Sequence, residues 1–473
     1  MEPATPTQGG RGTGHPGPSD RAADPVSPPD FSSRLLRVRR LADPDARSRR
    51  QILSRTAVPD SGVREAVASI CRTIRRDGDR ALAEAGASYG GGRPDPRVAP
   101  SEISLALDNI EPFVRKALEG AIDAVRRHHE TQRPADTSHE TAPGVRIDRL
   151  WTPLRRVGAY VPGGKASYPS SLVMTVVPSQ VAGVAEIAVA TPCDEDGGID
   201  PTLLAAAGLL GVDEIYAMGG AQAIAALAYG TESIPPVDKI VGPGNAWVTA
   251  AKLEVFGACA IDLPAGPSEV LVLADHTADA RLVAIDLLCQ AEHGPDSLAV
   301  LVTTDPGLAE AVETEIAGLL PLLPRRAILA SALADHGWIL VADTIHDAVG
   351  FANEYAAEHV SVVTADAPET AARVVNAGSV YVGRWSPESA GDYATGANHV
   401  LPTGGLARSQ GPLGVGDFGS WRQVQTLTRE GLASIRTVIE DLATAEGLDA
   451  HRMAASMRFD PTTTTTTTDG EEA

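Results

Sequence analysis

Cysteine is scarce in this chain. Among 473 residues there are four, and no two of them form a C-x-x-C pair; they are Cys71, Cys193, Cys259 and Cys289. This spacing suggests neither a disulfide framework nor a zinc site built from thiolates. We therefore expect the chain to work in the reducing environment of the cytoplasm.

Long apolar runs and an excess of positive charge are also missing. No uninterrupted apolar stretch approaches the ~20 residues that a membrane helix needs. Asp and Glu outnumber Lys and Arg by 61 to 40, which gives a net charge of −21. Because nucleic acids and anionic membranes attract cationic surfaces, neither is expected as a partner. The expected partners are small molecules and other protein chains.

The common phosphate-binding signatures are absent too. The segment from Gly158 to Lys165 resembles a Walker loop, but Ala159 stands where its first Gly belongs and Ala166 replaces the final Ser or Thr. NTP hydrolysis is therefore disfavoured, and no G-x-G-x-x-G is found. Short Gly turns remain at Gly219-Gly220-Ala221-Gln222 and Gly242-Pro243-Gly244-Asn245. A helix N-terminus there could hold a pyrophosphate, although turn formation alone explains these glycines equally well.

A regular alternation of patterns is what the chain does have. Between Val63 and Gly120 the apolar spacing predicts helices. After Trp151, short β-rich apolar runs alternate with Ala/Leu-rich helical segments, which is typical of parallel sheets covered by helices. A boundary near residues 265–268 suits one domain inserted into another. From Phe418 to about Arg458 the pattern predicts helix.

Two segments carry the side chains that best indicate function. Gln290 and His293 are three apart in a predicted helix, so both can face one ligand. Asp392 and His399 follow a predicted strand in a Gly-rich loop, where α/β sheets place ligands. Such N/O donors suit a borderline divalent ion such as zinc. A lone Gln/His pair is more often an ordinary polar face, so the hypothesis of a metal enzyme rests on both segments together.

Glu358 and His359 lie at a predicted junction between a helix and a strand. Their side chains can converge there. A His with a near-neutral pKa can act as a general base, and a neighbouring carboxylate can activate water. A solvent-facing polar pair is the alternative interpretation.

Eight segments, in order and spacing, match one known enzyme family. They are Tyr160-Val161-Pro162-Gly163-Gly164, Gly219-Gly220-Ala221-Gln222-Ala223, Val241-Gly242-Pro243-Gly244-Asn245, Ala265-Gly266-Pro267-Ser268-Glu269, Gln290-Ala291-Glu292-His293, Ala357-Glu358-His359, Glu388-Ser389-Ala390-Gly391-Asp392-Tyr393 and Asn398-His399-Val400-Leu401-Pro402-Thr403. Together they resemble the histidinol dehydrogenases, and the resemblance runs from about Val63 to about Arg458.

The resemblance implies one zinc ion per subunit and a homodimer with shared active sites. The implied zinc ligands are Gln290, His293, Asp392 and His451, the last reaching the metal from the partner subunit. The implied NAD contacts are Tyr160, Gln222 and Asn245. The implied contacts of L-histidinol are Ser268, His359, His399 and Glu446, together with the zinc ligands Gln290, His293, Asp392 and His451. His399 thereby changes from a candidate ligand to a substrate contact.

The resemblance also implies the reaction. L-histidinol would be oxidised to L-histidinal and then to L-histidine, the last steps of histidine biosynthesis, with two NAD molecules consumed in sequence. His359 would act as the base while hydride leaves, and Glu358 would activate the water that hydrates the aldehyde.

The expected fold class is α/β, with two Rossmann-like parallel-sheet domains, one inserted in the other, and helical N- and C-terminal segments. The divisions are a disordered extension at 1–32, a catalytic and zinc domain at 33–158 and 268–415, an NAD-binding domain at 159–267, a helical dimerisation segment at 416–460 and a disordered acidic tail at 461–473.

Two other functions remain open. In a thiol-dependent aldehyde dehydrogenase, Cys193 or Cys289 would be the nucleophile, although both are more typical of small buried side chains. A protein that binds zinc or a nucleotide without catalysis is the other. The intact Glu358-His359 pair disfavours the second.

Overall fold

The computed structural model describes residues 35–42, 46–163 and 167–460. The predicted extension at 1–32 and tail at 461–473 lie outside these residues. The strands are β1 (Arg37–Arg40), β2 (Thr137–Ala142), β3 (Val145–Pro153), β4 (Arg156–Tyr160), β5 (Glu186–Thr191), β6 (Ile215–Ala217), β7 (Lys239–Val241), β8 (Ala260–Ile261), β9 (Glu269–Ala274), β10 (Leu298–Thr303), β11 (Gly337–Val341), β12 (His359–Val363), β13 (Ser379–Val382) and β14 (Gly419–Leu427).

Helices cover and connect these strands. They are α1 (Ala46–Leu53), α2 (Ser61–Tyr89), α3 (Pro100–Asn109), α4 (Pro112–Glu130), α5 (Pro169–Ala182), α6 (Pro201–Leu210), α7 (Gly220–Tyr229), α8 (Ala246–Val255), α9 (Ala280–Ala291), α10 (Pro306–Leu319), α11 (Arg326–His336), α12 (Ile345–Tyr355), α13 (Ala367–Ala372), α14 (Glu388–Tyr393), α15 (Arg429–Ala445) and α16 (Asp449–Ser456). Within the parts of the chain that the structure describes, no helix is both long and apolar enough to cross a bilayer.

Two parallel sheets form the body of the molecule. One has the strand order β6-β5-β4-β7-β8, and the other has the order β1-β11-β10-β9-β12-β13. Every pairing in both sheets is parallel. The predicted α/β class is therefore confirmed.

Strand β9 illustrates why the aliphatic runs form buried strands. Its side chains alternate between two apolar clusters, with Val270 and Val272 in one and Leu271 and Leu273 in the other. All four are fully buried. Burying such a side chain contributes about 1.5–3 kcal/mol, so helices on both faces stabilise an uninterrupted aliphatic strand.

The N-terminal helices cover the five-stranded sheet. Helix α2 packs on α7 and α8, α3 packs on α6, and α4 packs on α5. The stripe Val67, Cys71 and Ile74 of α2 lies in one cluster with Ile224 of α7. The sequence predicted that residues 33–158 belong to one domain with residues 268–415, which form most of the six-stranded sheet. These helices and most of β4 lie instead with the five-stranded sheet. Helical periodicity reveals an apolar face but not which sheet that face covers.

The C-terminal segment begins with a strand, so the prediction of continuous helix from Phe418 was wrong. Strand β14 pairs antiparallel with β3, and β2 completes a three-stranded sheet. Trp421 of β14 packs against Trp151 of β3 with ring centroids 5.4 Å apart. The strand is mostly exposed, so its sequence lacks the apolar run that indicates a buried strand. Helices α15 and α16 follow it.

Candidate active site

A cavity of about 540 Å³ opens between segments from both parallel sheets. This size is in the usual range of small-molecule sites, roughly 300–1,000 Å³. The loop after β7 contributes from the five-stranded sheet, and Ser268 just before β9 and His359 at the start of β12 contribute from the six-stranded sheet. The predicted site residues on its wall are Asn245, Ser268, His293, Glu358, His359, Asp392 and His399.

The predicted metal donors come from two short stretches that fold together. Gln290 lies in the last turn of α9, whereas His293 lies just beyond its end and not in the helix as predicted. Asp392 lies in the short helix α14 and not in a loop. Donor atoms of His293, Glu388 and Asp392 all lie within 4.8 Å of one another. The two sequence segments thus meet at one point.

The side-chain amide of Gln290 is buried without the hydrogen bonds that such a group normally makes. Its side chain is fully buried, and neither its amide oxygen nor its amide nitrogen has a hydrogen-bond partner. Buried amides are normally paired, because an unmet donor or acceptor away from water costs roughly 1–3 kcal/mol. A cation beside the amide oxygen would remove that cost for the acceptor. The donor set therefore fits a divalent metal ion.

Glu388 is a member of this cluster to which sequence reasoning gave no role. One of its oxygens lies 3.9 Å from Nε2 of His293 and 3.7 Å from Nδ1 of His359. Burial raises its pKa well above the usual range. Its spacing of four residues from Asp392 in a helix was the available signal, since such residues share a face.

The backbone of Glu269 contacts the side chains of both Glu358 and His359. Residue Ala356 has a left-handed φ of 52° and ends α12, after which the chain turns into β12. Oε2 of Glu358 accepts a hydrogen bond from the Glu269 N–H at 3.0 Å. Nδ1 of His359 lies 3.3 Å from the Glu269 carbonyl oxygen. The predicted junction and convergence are both present.

Burial favours the neutral form of both groups in this pair, so the pKa of His359 is not near-neutral as expected from the sequence. Burial lowers the pKa of His359 to about 3 and raises the pKa of Glu358 well above its usual range. The imidazole is therefore neutral at physiological pH. When Nδ1 donates to the Glu269 carbonyl, Nε2 is left as the proton acceptor. Nε2 is buried and has no partner.

His399 is fixed by the same helix that carries Asp392. Its Nδ1 lies 3.0 Å from the backbone carbonyl oxygen of Asp392. Burial lowers the pKa of His399 to about 4, so this imidazole is also neutral near pH 7. Its position on the cavity wall, next to the donor cluster, is compatible with a hydrogen bond to a small polar molecule.

The Gly turn after β7 is tightly built. Asn245 lines the cavity and caps α8, accepting hydrogen bonds from the N–H groups of Trp247 and Val248 at 3.0 and 3.1 Å. Gly242 has a φ of 114°, and a Cβ there would collide with the carbonyl oxygen of Tyr160. Only glycine fits this close approach.

The other two predicted cofactor contacts lie behind the wall. Tyr160 and Gln222 are both buried and are absent from the residues that line the cavity. The Tyr160 hydroxyl accepts a hydrogen bond from the Gly220 N–H at 3.2 Å, and the Gln222 amide donates to the Gly90 carbonyl at 3.5 Å. Tyr160 thus holds the turn at Gly219-Gly220, and Gln222 ties the start of α7 to the end of α2.

The two predicted site residues of the C-terminal segment are not on the cavity. Glu446 ends α15, and His451 lies in α16. Both are exposed in the single chain. The single chain therefore presents seven of the predicted site residues on the cavity wall and leaves these two on its surface.

Comparisons with known proteins identify the family. A model of the histidinol dehydrogenase family matches residues 53–459. The histidinol dehydrogenase of Methanosarcina barkeri is 42% identical over 427 residues, which cover 90% of this chain and 98% of that protein. The enzyme of Vibrio parahaemolyticus is 43% identical over 417 residues, 87% of this chain and 96% of that one. This chain belongs to the histidinol dehydrogenase family.

A solved histidinol dehydrogenase has the same fold. The crystal structure of the enzyme from Elizabethkingia anophelis superimposes with a TM-score of 0.85 at 37% sequence identity, covering 90% of this chain and 98% of that one. The resemblance seen in the sequence is thus confirmed over most of the chain, and the protein is a dehydrogenase.

The thiol-dependent alternative is disfavoured in this chain. Burial raises the pKa of Cys289 to about 12 and also raises that of Cys193. Both thiols are therefore protonated near pH 7, whereas the nucleophilic form is the thiolate. Neither cysteine is among the residues that line the cavity.

Proposed function

We propose that this protein oxidises L-histidinol through L-histidinal to L-histidine, with zinc in the donor cluster and two NAD molecules consumed in sequence. Membership of the histidinol dehydrogenase family supports the substrate. The observation that carries the mechanism is the buried His359, which lines the cavity with His293 and Asp392 and whose Nε2 has no hydrogen-bond partner. All four thiols are free, which suits a reducing cytoplasm.

Gln290, His293 and Asp392 would hold the zinc together with His451 of the partner subunit. Burial raises the pKa of Asp392 to about 6, and a nearby cation favours its charged form. When bound, the metal supplies a positive charge and open positions that orient the imidazole and amino nitrogens of the substrate. Ser268, His399 and Glu446 are the further substrate contacts that we propose.

His359 performs the proton transfers. In the first oxidation its Nε2 accepts the hydroxyl proton of L-histidinol while the carbinol C–H leaves as hydride to NAD, which gives L-histidinal, NADH and a proton. Because burial keeps the imidazole neutral, the base is available without prior deprotonation.

Glu358 acts between the two oxidations. Its carboxylate removes a proton from the water that adds to the aldehyde carbon, the carbonyl oxygen takes up the proton that His359 gained in the first oxidation, and the product is a hydrate. The hydrate then loses hydride to the second NAD and a proton to His359, which gives the carboxylic acid. Burial raises the pKa of Glu358, which makes its ionised form a stronger base for this proton, and the hydrogen bond from the Glu269 N–H stabilises that form.

The NAD site that we propose uses Asn245 on the cavity wall, with Tyr160 and Gln222 shaping the Gly turns at its floor. Both turns follow the carboxyl ends of parallel strands, β6 and β7, where α/β folds bind dinucleotides. Pro243, Gly244 and Asn245 of the second turn line the cavity, which supports a ligand contact there.

A homodimer would complete the site. Large apolar side chains are exposed along residues 419–457, although such side chains are usually buried. They are Val424, Leu427, Val438, Leu442, Leu448, Met453 and Met457. This surface lies on the segment that carries Glu446 and His451, so its burial in a dimer would bring both residues near a partner's cavity.

One assay tests the proposed function. NADH formation is followed with L-histidinol and related amino alcohols, before and after treatment with a chelator, and again after zinc is restored. We expect two NADH per L-histidinol, loss with chelator and recovery with zinc. Absence of NADH with L-histidinol under all conditions contradicts the proposal and would favour a binding protein without catalysis.

A further inference from the structure

Glu388 is a buried carboxylate without a hydrogen-bond partner. It is 2% exposed, and neither of its oxygens receives a hydrogen bond. Among the described residues, its ion-pair contacts are the imidazoles of His293 and His359 alone. Carboxylates are almost never fully buried unless they are paired with a positive charge or coordinate a metal.

The distances around Glu388 suit a shared cation better than a hydrogen bond. Its oxygen lies 3.9 Å from Nε2 of His293, which exceeds the roughly 2.7–3.2 Å of a hydrogen bond. Two ligands that each lie about 2.0–2.2 Å from one ion are separated by up to about 4.4 Å. The 3.9 Å between Glu388 and His293 satisfies this limit, and donor atoms of His293, Glu388 and Asp392 all lie within 4.8 Å of one another, which places all three around one candidate ion position.

The amide of Gln290 points to the same conclusion independently. It is fully buried, and both of its polar atoms lack partners. Unmet acceptors therefore belong to two side chains from separate helices, α9 and α14. A single divalent cation would satisfy both, whereas no described Lys or Arg forms an ion pair with Glu388.

We propose that Glu388 is a further residue of the metal site, with its carboxylate lying against the bound divalent cation beside His293 and Asp392. The family resemblance implies Gln290, His293, Asp392 and His451 alone. The inference rests on the proposed metal site but concerns metal affinity, so it is tested without measuring the reaction.

Metal-free protein is titrated with Zn²⁺ in competition with a chromophoric chelator, and with Co²⁺ while its visible absorption is recorded. We expect Glu388→Gln to weaken binding by about 10–100-fold and to change the Co²⁺ spectrum. Glu388→Asp should recover part of the affinity. Asp296→Asn removes a negative charge from the same cavity wall outside the donor cluster, and it should stay within about twofold of wild type.

Thermal unfolding separates this role from a structural one. Without metal, Glu388→Gln should be at least as stable as wild type, because it removes an unpaired buried carboxylate; with zinc it should gain less stability than wild type. If Glu388→Gln bound zinc as tightly as wild type, the assignment of Glu388 to the metal site would be overturned, whereas the proposed metal site itself would stand. If the wild-type protein bound neither ion, the proposed metal site would fail along with it.

Discussion

The backbone N–H of Glu269 donates a hydrogen bond to Oε2 of Glu358 at 3.0 Å. The carbonyl oxygen of the same Glu269 lies 3.3 Å from Nδ1 of His359. One residue at the start of β9 therefore orients both proposed catalytic side chains at the start of β12. Since β9 and β12 are adjacent parallel strands, their pairing fixes both side chains relative to the Glu269 backbone.

His359→Asn should lower kcat by roughly 10²–10⁴-fold, because the variant loses the general base. Zinc content should remain that of wild type, since His359 is not a proposed ligand. The measurement is NADH formation from L-histidinol together with metal analysis of the purified variant. Loss of zinc would show that a ligand has been misassigned.

Glu358→Gln should separate the two oxidations. The glutamine oxygen can still accept the hydrogen bond from the Glu269 N–H, but it cannot take a proton from water. We expect the step from L-histidinol to L-histidinal to persist and the oxidation of supplied L-histidinal to fall by roughly 10²–10⁴-fold. Glu369→Gln, which removes an exposed carboxylate from α13, is the control. If the rates of both oxidations fell equally, Glu358 would not be the residue that activates water between them.

Lys252 and Asp262 form a buried ion pair that clamps the Gly turn after β7. Lys252 donates to the Gly242 carbonyl at 3.0 Å, and Asp262 accepts from the Gly242 N–H at 2.8 Å. Both side chains are at most 2% exposed. Lys252→Met should destabilise the fold by about 3–5 kcal/mol, because it leaves Asp262 buried and unpaired, and should raise the KM for NAD.

Urea unfolding and NAD kinetics check the clamp. The double variant Lys252→Met/Asp262→Asn should recover most of the stability, since no buried charge remains. Arg115→Met breaks an exposed pair with Glu119 and should change stability by less than about 0.5 kcal/mol. A Lys252→Met protein as stable as that control would show that the pair contributes nothing to the turn.

Sequence predicted most of the two parallel sheets, and the reason lies in burial. Strands such as β9 are covered on both faces, so their sequences are continuous runs of aliphatic residues. Strand β14 is mostly exposed in the single chain, and its apolar residues Trp421, Val424 and Leu427 recur every three positions, so the period of two that indicates a strand is missing. Local pattern also could not assign α2 to its sheet, because that contact is set by tertiary packing.

The sequence identified those candidate site residues whose side chains are typical metal ligands or general bases. Gln290, His293, Glu358, His359 and Asp392 were all found in the sequence. Glu388 was not, since an acidic residue in a helix is usually solvated and only its burial without a partner makes it unusual.

His129 should make stability depend on pH. Its Nδ1 lies 2.7 Å from the Val125 carbonyl oxygen, and its Nε2 lies 3.3 Å from the Asn398 amide nitrogen, an arrangement that requires neutral imidazole with Nε2 accepting. Burial lowers the pKa of His129. Its stabilising contribution is therefore complete above the ordinary His pKa of about 6.5 and is lost as pH falls, because the unfolded chain binds the proton first.

Free energies of unfolding for wild type and His129→Gln, measured from about pH 7.5 to about pH 5.5, check this sign around the ordinary His pKa. The stability advantage of wild type should shrink as pH falls. An advantage that stayed constant or grew on acidification would contradict the inferred neutral His129.

Mixed dimers should reveal whether His451 acts across subunits. His451→Ala and His359→Asn proteins are each expected to be inactive as homodimers. In a mixed dimer, the cavity of the His451→Ala subunit keeps its own His359 and receives His451 of the partner subunit, so one of its two sites is complete. Random mixing at equal amounts makes half of the dimers mixed, and about a quarter of wild-type activity should return.

The control for this experiment is a mixture in which each subunit carries both substitutions, which should remain inactive because no complete site can form. Leu442→Glu places a charge on the exposed apolar surface of α15 and should shift the protein toward monomers in sedimentation, with loss of bound zinc. If the mixed single variants recovered nothing although sedimentation showed that they had exchanged subunits, His451 would act within its own subunit and the shared site would have to be abandoned.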